Sequence, residues 1–235
     1  AAVREADDGP DFCQQVERET GLKIWVIDGK QEARLSAQGV LLGWPGSYGL
    51  VCDIGGSSME LAEISDGKVG KRQSSDLGPL KLQGISGGKK ARNDHIKTTI
   101  MALKDKMGLQ QNRLFLVGGS WRALARVDME RRNYPLHVPH EYRMSTQGIN
   151  ETIKLLEASD PEKLRRLCHI SANRMALLPI ACEVLRRLLI TFAPKDIAIS
   201  SYGLREGLLF AQMPKKLRDR DPLIEACYFA EAKDA

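Results

Sequence analysis

The order of hydrophobic and polar positions alternates between two periods along the chain. Short apolar or β-branched runs bounded by glycine, proline or aspartate are typical of strands, and apolar residues three or four apart are typical of helices. The pattern predicts strands at Lys23–Ile27, Gly49–Ile54, Met59–Ile64, Lys68–Arg72, Arg113–Val117 and Asp196–Ser200. It predicts helices at Asp11–Glu19, Gly29–Leu42, Lys90–Met107, Trp121–Val127, Thr146–Leu156, Pro161–Leu167, Ala172–Leu189 and Leu204–Gln212. This alternation predicts an α/β fold with a mixed sheet flanked by helices.

Composition excludes several other classes of protein. The 235 residues are 43% hydrophobic and 28% charged, which excludes intrinsic disorder and a coiled coil. The most apolar stretch, Met175–Phe192, is interrupted by Glu183, Arg186 and Arg187, so it predicts an ordinary helix and no integral membrane association. The chain begins without Met, so we expect its true N-terminus to lie elsewhere.

Charge and cysteine content indicate compartment and partners only broadly. The formal charge of +5 is a mild excess and predicts no nucleic-acid partner. The five cysteines are an odd number without a Cys-x-x-Cys pair, which argues against a disulfide framework or a zinc ribbon. We expect Cys52, Cys168 and Cys182 in the core, and without a secretory signal we expect a cytoplasmic protein.

A loop rich in glycine and serine follows the clearest strand. Asp53 ends that strand, Gly55-Gly56-Ser57-Ser58 form the turn, and Glu60 lies in the returning strand. Glycines let successive N–H groups approach an anion, and serine hydroxyls add donors. Mg²⁺ favours one or two carboxylates together with phosphate oxygens and water. The pattern fits a phosphate and metal site, and it also fits a tight hairpin with exposed acids.

Two further segments are candidates for the same chemistry. Gly118-Gly119-Ser120 follows an apolar strand and precedes a helix, where the helix N-terminus favours an anion, although close packing would explain the glycines equally well. Glu32 lies near the start of its helix. It is either an acid placed favourably for the helix dipole or a general base that deprotonates an attacking water.

Five segments together resemble the exopolyphosphatase / guanosine pentaphosphate phosphohydrolase family. They occur in the order of the family and at compatible spacing: Ala2–Ala6, Asp28–Arg34, Asp53–Glu60, Gly118–Ser120 and Gly203–Gly207. The resemblance implies the actin-like ATPase, Hsp70 and sugar-kinase superfold, whose lobes resemble ribonuclease H and enclose the active site between them.

The resemblance also implies a role for individual residues. Glu32 matches the catalytic base, and Asp53 and Glu60 match the acids that hold a divalent metal, Mg²⁺ or in its place Mn²⁺, with a monovalent cation as a further cofactor. Phosphate contacts are implied for Arg4, Gly55, Gly56, Ser57, Ser58, Gly119 and Arg174. The implied substrates are inorganic polyphosphate or guanosine pentaphosphate, and the full-length protein is expected to be a homodimer.

The chain departs from the family pattern at several positions. Ser57 stands where the family has a third glycine, and Met59 stands where it has a threonine. The family's first phosphate loop lies upstream of the segment that contains Arg4 and is not found in this sequence. We therefore predict the tail of a first lobe at 1–36, a second lobe at 37–211 and a linker toward a C-terminal helical domain at 212–235, and we expect this part alone to be nearly inactive.

Three functions remain open at this point. The first is metal-assisted hydrolysis of phosphoanhydride bonds, with processive release of orthophosphate from polyphosphate or removal of the 5′-phosphate of guanosine pentaphosphate. The second is a non-catalytic module that binds one of these ligands. The third, a kinase of the same superfold, is disfavoured by the Arg4 and Glu32 segments. No histidine has metal-ligand spacing, and Trp25, Trp44 and Trp121 are expected in the core or between lobes.

Overall fold

A computed structural model describes residues 2–108 and 112–232 of the chain. The sheet in these residues has six strands: β1 Gly49–Ile54, β2 Met59–Ser65, β3 Lys68–Ser75, β4 Arg113–Val117, β5 Arg143–Met144 and β6 Asp196–Ser200. Their order is β3-β2-β1-β4-β6-β5. β1 to β3 form an antiparallel meander, β4 is parallel to both β1 and β6, and β5 is antiparallel to β6. The predicted mixed α/β architecture is confirmed.

Helices cover both faces of this sheet. Their bounds are α1 Ala2–Glu5, α2 Gly9–Thr20, α3 Gly29–Gly43, α4 Pro79–Gln83, α5 Gly88–Met107, α6 Gly119–Arg131, α7 Thr146–Ala158, α8 Pro161–Leu167, α9 Ala172–Phe192, α10 Leu204–Gln212, α11 Lys215–Arg218 and α12 Pro222–Glu231. α3 and α10 pack on one face. α4 to α9 pack on the other, around the fully buried Trp121. Side chains of β1 alternate between the two cores, as the two-residue period of a strand requires.

The position of α3 is fixed at its start and along its length. The Asp28 side chain accepts a hydrogen bond from the Gln31 N–H, and the Gln31 side chain accepts one from the Asp28 N–H, which is a capping box. Ala33 and Ala37 face the sheet. On the side toward α10, a Cβ on Gly39 would lie 2.1 Å from the Gly203 carbonyl oxygen, so only glycine permits this close approach.

The segment predicted as a strand at Lys23–Ile27 is not a strand. Residues 22–28 have no regular secondary structure, and Trp25 is 78% exposed, so it does not lie in the core of the described residues. Packing of Trp25 between lobes stays a prediction. Apolar and β-branched residues favour a strand because they pack on a half-buried pleated surface. No described strand pairs with this segment, so that surface is missing.

Several boundaries differ from the predicted ones for local reasons. α2 begins at Gly9, with Asp8 rather than Asp11 at the N-cap, because proline is tolerated in the first turn of a helix. The sequence pattern did not predict α1, α4, α11, α12 or the two-residue β5. α3 crosses the proposed boundary between residues 36 and 37, and the division into lobes and linker remains a prediction.

The expected burial of three cysteines is confirmed. Cys52, Cys168 and Cys182 are buried and unpaired. Within the described ranges, no helix combines the length and the apolar composition needed to cross a bilayer.

Candidate active site

Two acidic side chains face each other across the first two strands. Asp53, next to the end of β1, is the direct antiparallel partner of Glu60 in β2. Directly opposite residues of an antiparallel pair have Cβ atoms about 5 Å apart and on the same face. The strand register therefore brings together the two carboxylates that the resemblance assigns to the metal.

Serine hydroxyls donate hydrogen bonds to both carboxylates. Ser36 of α3 donates to Asp53 Oδ2, and Ser74 of β3 donates to Glu60 Oε1 at 2.9 Å. Hydroxyl groups satisfy the oxygens without neutralising the charge. The pair therefore has electrostatic capacity for a cation.

Both carboxyl groups hold their protons more tightly than usual. Burial is the largest cause that raises the pKa of Asp53, the Ser36 hydrogen bond opposes it, and the charge of Glu32 adds to it. Burial and then the charge of Glu32 raise the pKa of Glu60 to about 7, although the hydroxyls of Ser58 and Ser74 act in the opposite direction. These shifts are typical of functional clusters of like charge.

Glu32 is the third acid of this cluster, because its charge acts on both strand carboxylates. It lies on α3 one turn before Ser36, so the helix places both side chains toward Asp53. Arg4 Nη1 contacts Glu32 Oε2 at 3.3 Å and donates to the Ile27 carbonyl oxygen at 2.7 Å. The structure thus brings Arg4 and all three predicted acids to one place.

The Gly-Ser loop connects the two acid-bearing strands. The Gly55 N–H donates to the Ser58 carbonyl oxygen at 2.9 Å, and the Leu80 N–H donates to the Gly56 carbonyl oxygen at 2.8 Å. Gly55 and Gly56 are exposed, Ser57 is half-buried and Ser58 is buried. The backbone at the two glycines is therefore open to a ligand, beside the carboxylates.

The second glycine loop reaches the same site from β4. A Cβ on Gly118 would lie 3.3 Å from Asp53 Oδ1, and one on Gly119 would lie 2.8 Å from Arg174 Nε. Arg122, one turn into α6, is half-buried, and its burial, followed by the charge of Arg174, lowers its pKa, while Asp53 raises it. Two arginines therefore lie beside the three acids.

The donor set fits a divalent cation of the magnesium type. No group of three or more His, Cys, Asp or Glu side chains arranged as metal ligands occurs in the described part of the chain. Mg²⁺ in phosphate-handling sites uses one or two protein carboxylates and takes its other ligands from substrate and water. Asp53 is half-buried, Glu60 is buried, and the two face each other with hydroxyl groups as their hydrogen-bond donors, which matches that requirement.

Three site residues were not predicted from the sequence. Ser36 follows Glu32 by four positions, and Arg122 follows Gly119 by three. Residues at this spacing lie on the same face of a helix, so the sequence could have indicated both as neighbours of the site. No such indication existed for Ser74, because the strand was predicted to end at Arg72.

Comparison with known proteins gives a consistent family. The model of the Ppx/GppA phosphatase family matches residues 1–216. Retrograde regulation protein 2 of Saccharomyces cerevisiae is 23% identical over 253 residues, which cover 96% of this chain and 42% of the yeast protein. Exopolyphosphatase 1 of Mycobacterium leprae is 38% identical over 68 residues, 28% of this chain and 20% of that protein. The chain therefore spans less than half the length of either relative.

Solved structures show the same fold. The Aquifex aeolicus PPX-GPPA enzyme superposes with a TM-score of 0.74 at 23% identity, over 90% of this chain and 73% of that one. An exopolyphosphatase from Cytophaga hutchinsonii gives 0.78 at 20% identity, over 89% and 72%. The sheet and its flanking helices thus have the actin-like ATPase fold. Since the family model covers all three acids and both glycine loops, this chain belongs to the Ppx/GppA phosphatase family.

Proposed function

We propose that the protein hydrolyses phosphoanhydride bonds and processively releases terminal orthophosphate from inorganic polyphosphate. The observation that carries this proposal is the convergence of Glu32, Asp53 and Glu60 beside an exposed glycine loop. Family membership supports a phosphatase, and the name of the mycobacterial relative supports polyphosphate as its substrate.

Asp53 and Glu60 are the residues that would hold Mg²⁺, or Mn²⁺ in its place. When bound, the metal would stabilise negative charge on the transferring phosphoryl group. Hydroxyl groups donate the hydrogen bonds that the two acids accept, which leaves the negative charge of both acids available to the ion.

Glu32 is proposed as the base that accepts a proton from the attacking water. Its carboxylate contacts Arg4, which is in turn anchored to the Ile27 carbonyl oxygen. An anchored arginine fixes the orientation of the carboxylate, and a fixed base within reach of the water contributes about 10²- to 10⁴-fold to a rate.

The remaining groups would bind phosphate oxygens. Gly56 and Ser57 offer backbone N–H groups at the exposed turn, and Ser58 adds a buried hydroxyl. The Gly55 N–H donates to the Ser58 carbonyl oxygen, so Gly55 would contribute by letting the ligand approach the backbone closely. Arg174 beside Gly119 supplies positive charge at the other end of the site. Charge of this kind, fixed before the substrate binds, is worth most where negative charge develops in the transition state.

The 5′-phosphate of guanosine pentaphosphate fits this geometry equally well. It ends in the same kind of phosphoanhydride, and the described residues include no feature that selects for or against a guanosine. On the resemblance alone we further propose a homodimer, a monovalent cation requirement and a cytoplasmic location for the full-length protein.

A non-catalytic module that binds the same ligands is the second candidate. It is favoured by the yeast relative, which matches nearly the whole chain and is named for regulation. Met59 supports it too, since this buried side chain replaces the hydroxyl expected from the resemblance.

Orthophosphate release by the complete gene product, measured with Mg²⁺ on polyphosphate and on guanosine pentaphosphate, separates these functions. Asp53→Asn keeps the size of the side chain and removes its charge, so we expect release to fall about 100-fold or more. Asp66→Asn is the matched control, because Asp66 is an exposed hairpin residue with φ 51° that asparagine tolerates. Absence of release from either substrate would favour the binding module, and full activity of Asp53→Asn would refute the assigned site.

A further inference from the structure

A second concave site lies on the flank of α3, away from the acids. This cavity of about 470 Å³ is formed by α3, the β2–β3 hairpin, α10 and α11. Five cationic side chains line it and define what we call the basic pocket: Arg34, Lys68, Arg72, Lys215 and Arg218. A volume of this size is typical of sites for small ligands.

The basic pocket is separated from the acid cluster by the body of α3. Glu32 and Ser36 lie on one flank of the helix, whereas Arg34 and Gln38 lie on the other. At 3.6 residues per turn, positions 32 and 34 are about 200° apart around the helix axis. A ligand in the pocket would therefore not contact the proposed catalytic carboxylates.

Cationic side chains outnumber acidic ones in the lining of the basic pocket. Among the described residues, none of the five forms an ion pair, and Asp219 is the only acid in the lining. Like charges gathered around one cavity repel each other, and an anion bound there would relieve the repulsion.

Two polar atoms of the lining are also without partners. Gln38 Oε1 and Arg218 Nε are both buried and form no hydrogen bond to any described residue. Both residues line the basic pocket. A buried polar atom without a partner costs about 1–3 kcal/mol. The Arg218 N–H is a donor that a phosphate oxygen could accept from, which supports an anionic ligand independently of the charge. Gln38 Oε1 is an acceptor, so it would need a donor such as a hydroxyl group of a nucleoside.

We propose that the basic pocket binds a small ligand that carries a di- or triphosphate group, at a site distinct from the acid cluster. A single orthophosphate would contact two or three donors, whereas five cations around one cavity can contact several linked phosphate groups at once. The free oligophosphate and the same group on a nucleoside share this chemistry. The inference uses none of the three acids, so it does not depend on the proposed hydrolysis.

The test is a calorimetric titration of the chain in EDTA, where metal-dependent turnover is absent, with tripolyphosphate, GTP and orthophosphate as separate probes. Lys68→Glu/Lys215→Glu reverses two exposed charges of the pocket. Lys71→Glu/Lys216→Glu makes the same charge change at exposed neighbours that do not line it. Thermal unfolding of both variants checks that they remain folded.

We expect the chain to bind tripolyphosphate more tightly than orthophosphate. The pocket variant should lower the affinity for tripolyphosphate by about tenfold or more, whereas the control pair should change that affinity by less than about threefold. Tighter binding of GTP than of tripolyphosphate would identify a nucleotide as the source of the group. Equal losses in the two pairs, no loss in either, or no binding of tripolyphosphate by the unmodified chain would overturn the proposal.

Discussion

Glu60 shows how the site depends on single side chains. It is 2% exposed, lies opposite Asp53 and has a pKa of about 7. The serine that contacts it, Ser74, cannot compensate a full negative charge. A cation that binds beside Glu60 would therefore stabilise its ionised carboxylate.

This pKa predicts a pH-dependent stability. The folded state keeps the Glu60 proton up to about pH 7, whereas the unfolded chain loses it near the ordinary value of 4.5. Between these values the folded state binds more protons, so the free energy of unfolding falls as pH rises, by about 3 kcal/mol in total. Chemical denaturation in EDTA between pH 4.5 and 8 measures the decline.

Glu60→Gln is the matched variant, since an amide of the same shape does not titrate. It should remove most of the decline between pH 4.5 and 7, and Mg²⁺ should stabilise the unmodified chain more at pH 8 than at pH 5. An unchanged pH profile in the variant would show that another group titrates there.

The β2–β3 hairpin explains why part of the site escaped prediction. A regular two-residue turn at Asp66-Gly67 would place Gln73 opposite Glu60, but an irregularity between Ala62 and Ile64 shifts the register. Ser74 lies opposite Glu60 as a result. Strand periodicity predicts that a hairpin forms, whereas a bulge depends on packing that one sequence does not reveal.

α4 supports the Gly-Ser loop from behind. A Cβ on Gly78, just before this helix, would lie 2.2 Å from the Ser57 carbonyl carbon and 2.4 Å from the Ser58 nitrogen. Helix and loop backbones can meet at this distance only because position 78 is glycine. The sequence pattern missed the contact because α4 has only five residues and too few apolar positions to show a period.

Gly78→Ala should therefore displace the loop. We expect the free energy of unfolding to fall by about 1–3 kcal/mol and orthophosphate release by the complete gene product to fall with it. Gly84→Ala at the other end of α4 is the control, because its Cβ would meet its nearest atom at 3.5 Å, an ordinary contact. Equal stability of the two variants would mean that the close approach does not position the loop.

The predicted strand at Lys23–Ile27 failed for the opposite reason. Its local composition favours a strand, but a strand needs a neighbouring strand for its N–H and C=O groups, and none of the described strands pairs with it. Gly49–Ile54, Arg113–Val117 and Asp196–Ser200 were predicted with the correct bounds, because each is a buried apolar run ended by a turn signal.

In the molecule as a whole, the acids lie where the carboxyl ends of β1, β4 and β6 meet. Gly118 at the start of α6 and Gly203 at the start of α10 both approach Asp53. Two helix N-termini therefore point toward the carboxylates, and crevices at such sheet edges are the usual ligand sites of open α/β sheets. The resemblance predicted these residues individually, and the fold explains why they converge.

The most direct test of this account separates catalysis from binding at Glu32. Glu32→Gln is made in the complete gene product beside Glu17→Gln, a change at an exposed position of α2, and polyphosphate hydrolysis and binding are measured for both. We expect Glu32→Gln to lower the rate constant about 100-fold or more while binding changes less than about threefold, and we expect Glu17→Gln to alter neither. Hydrolysis by Glu32→Gln at the unmodified rate would contradict this account.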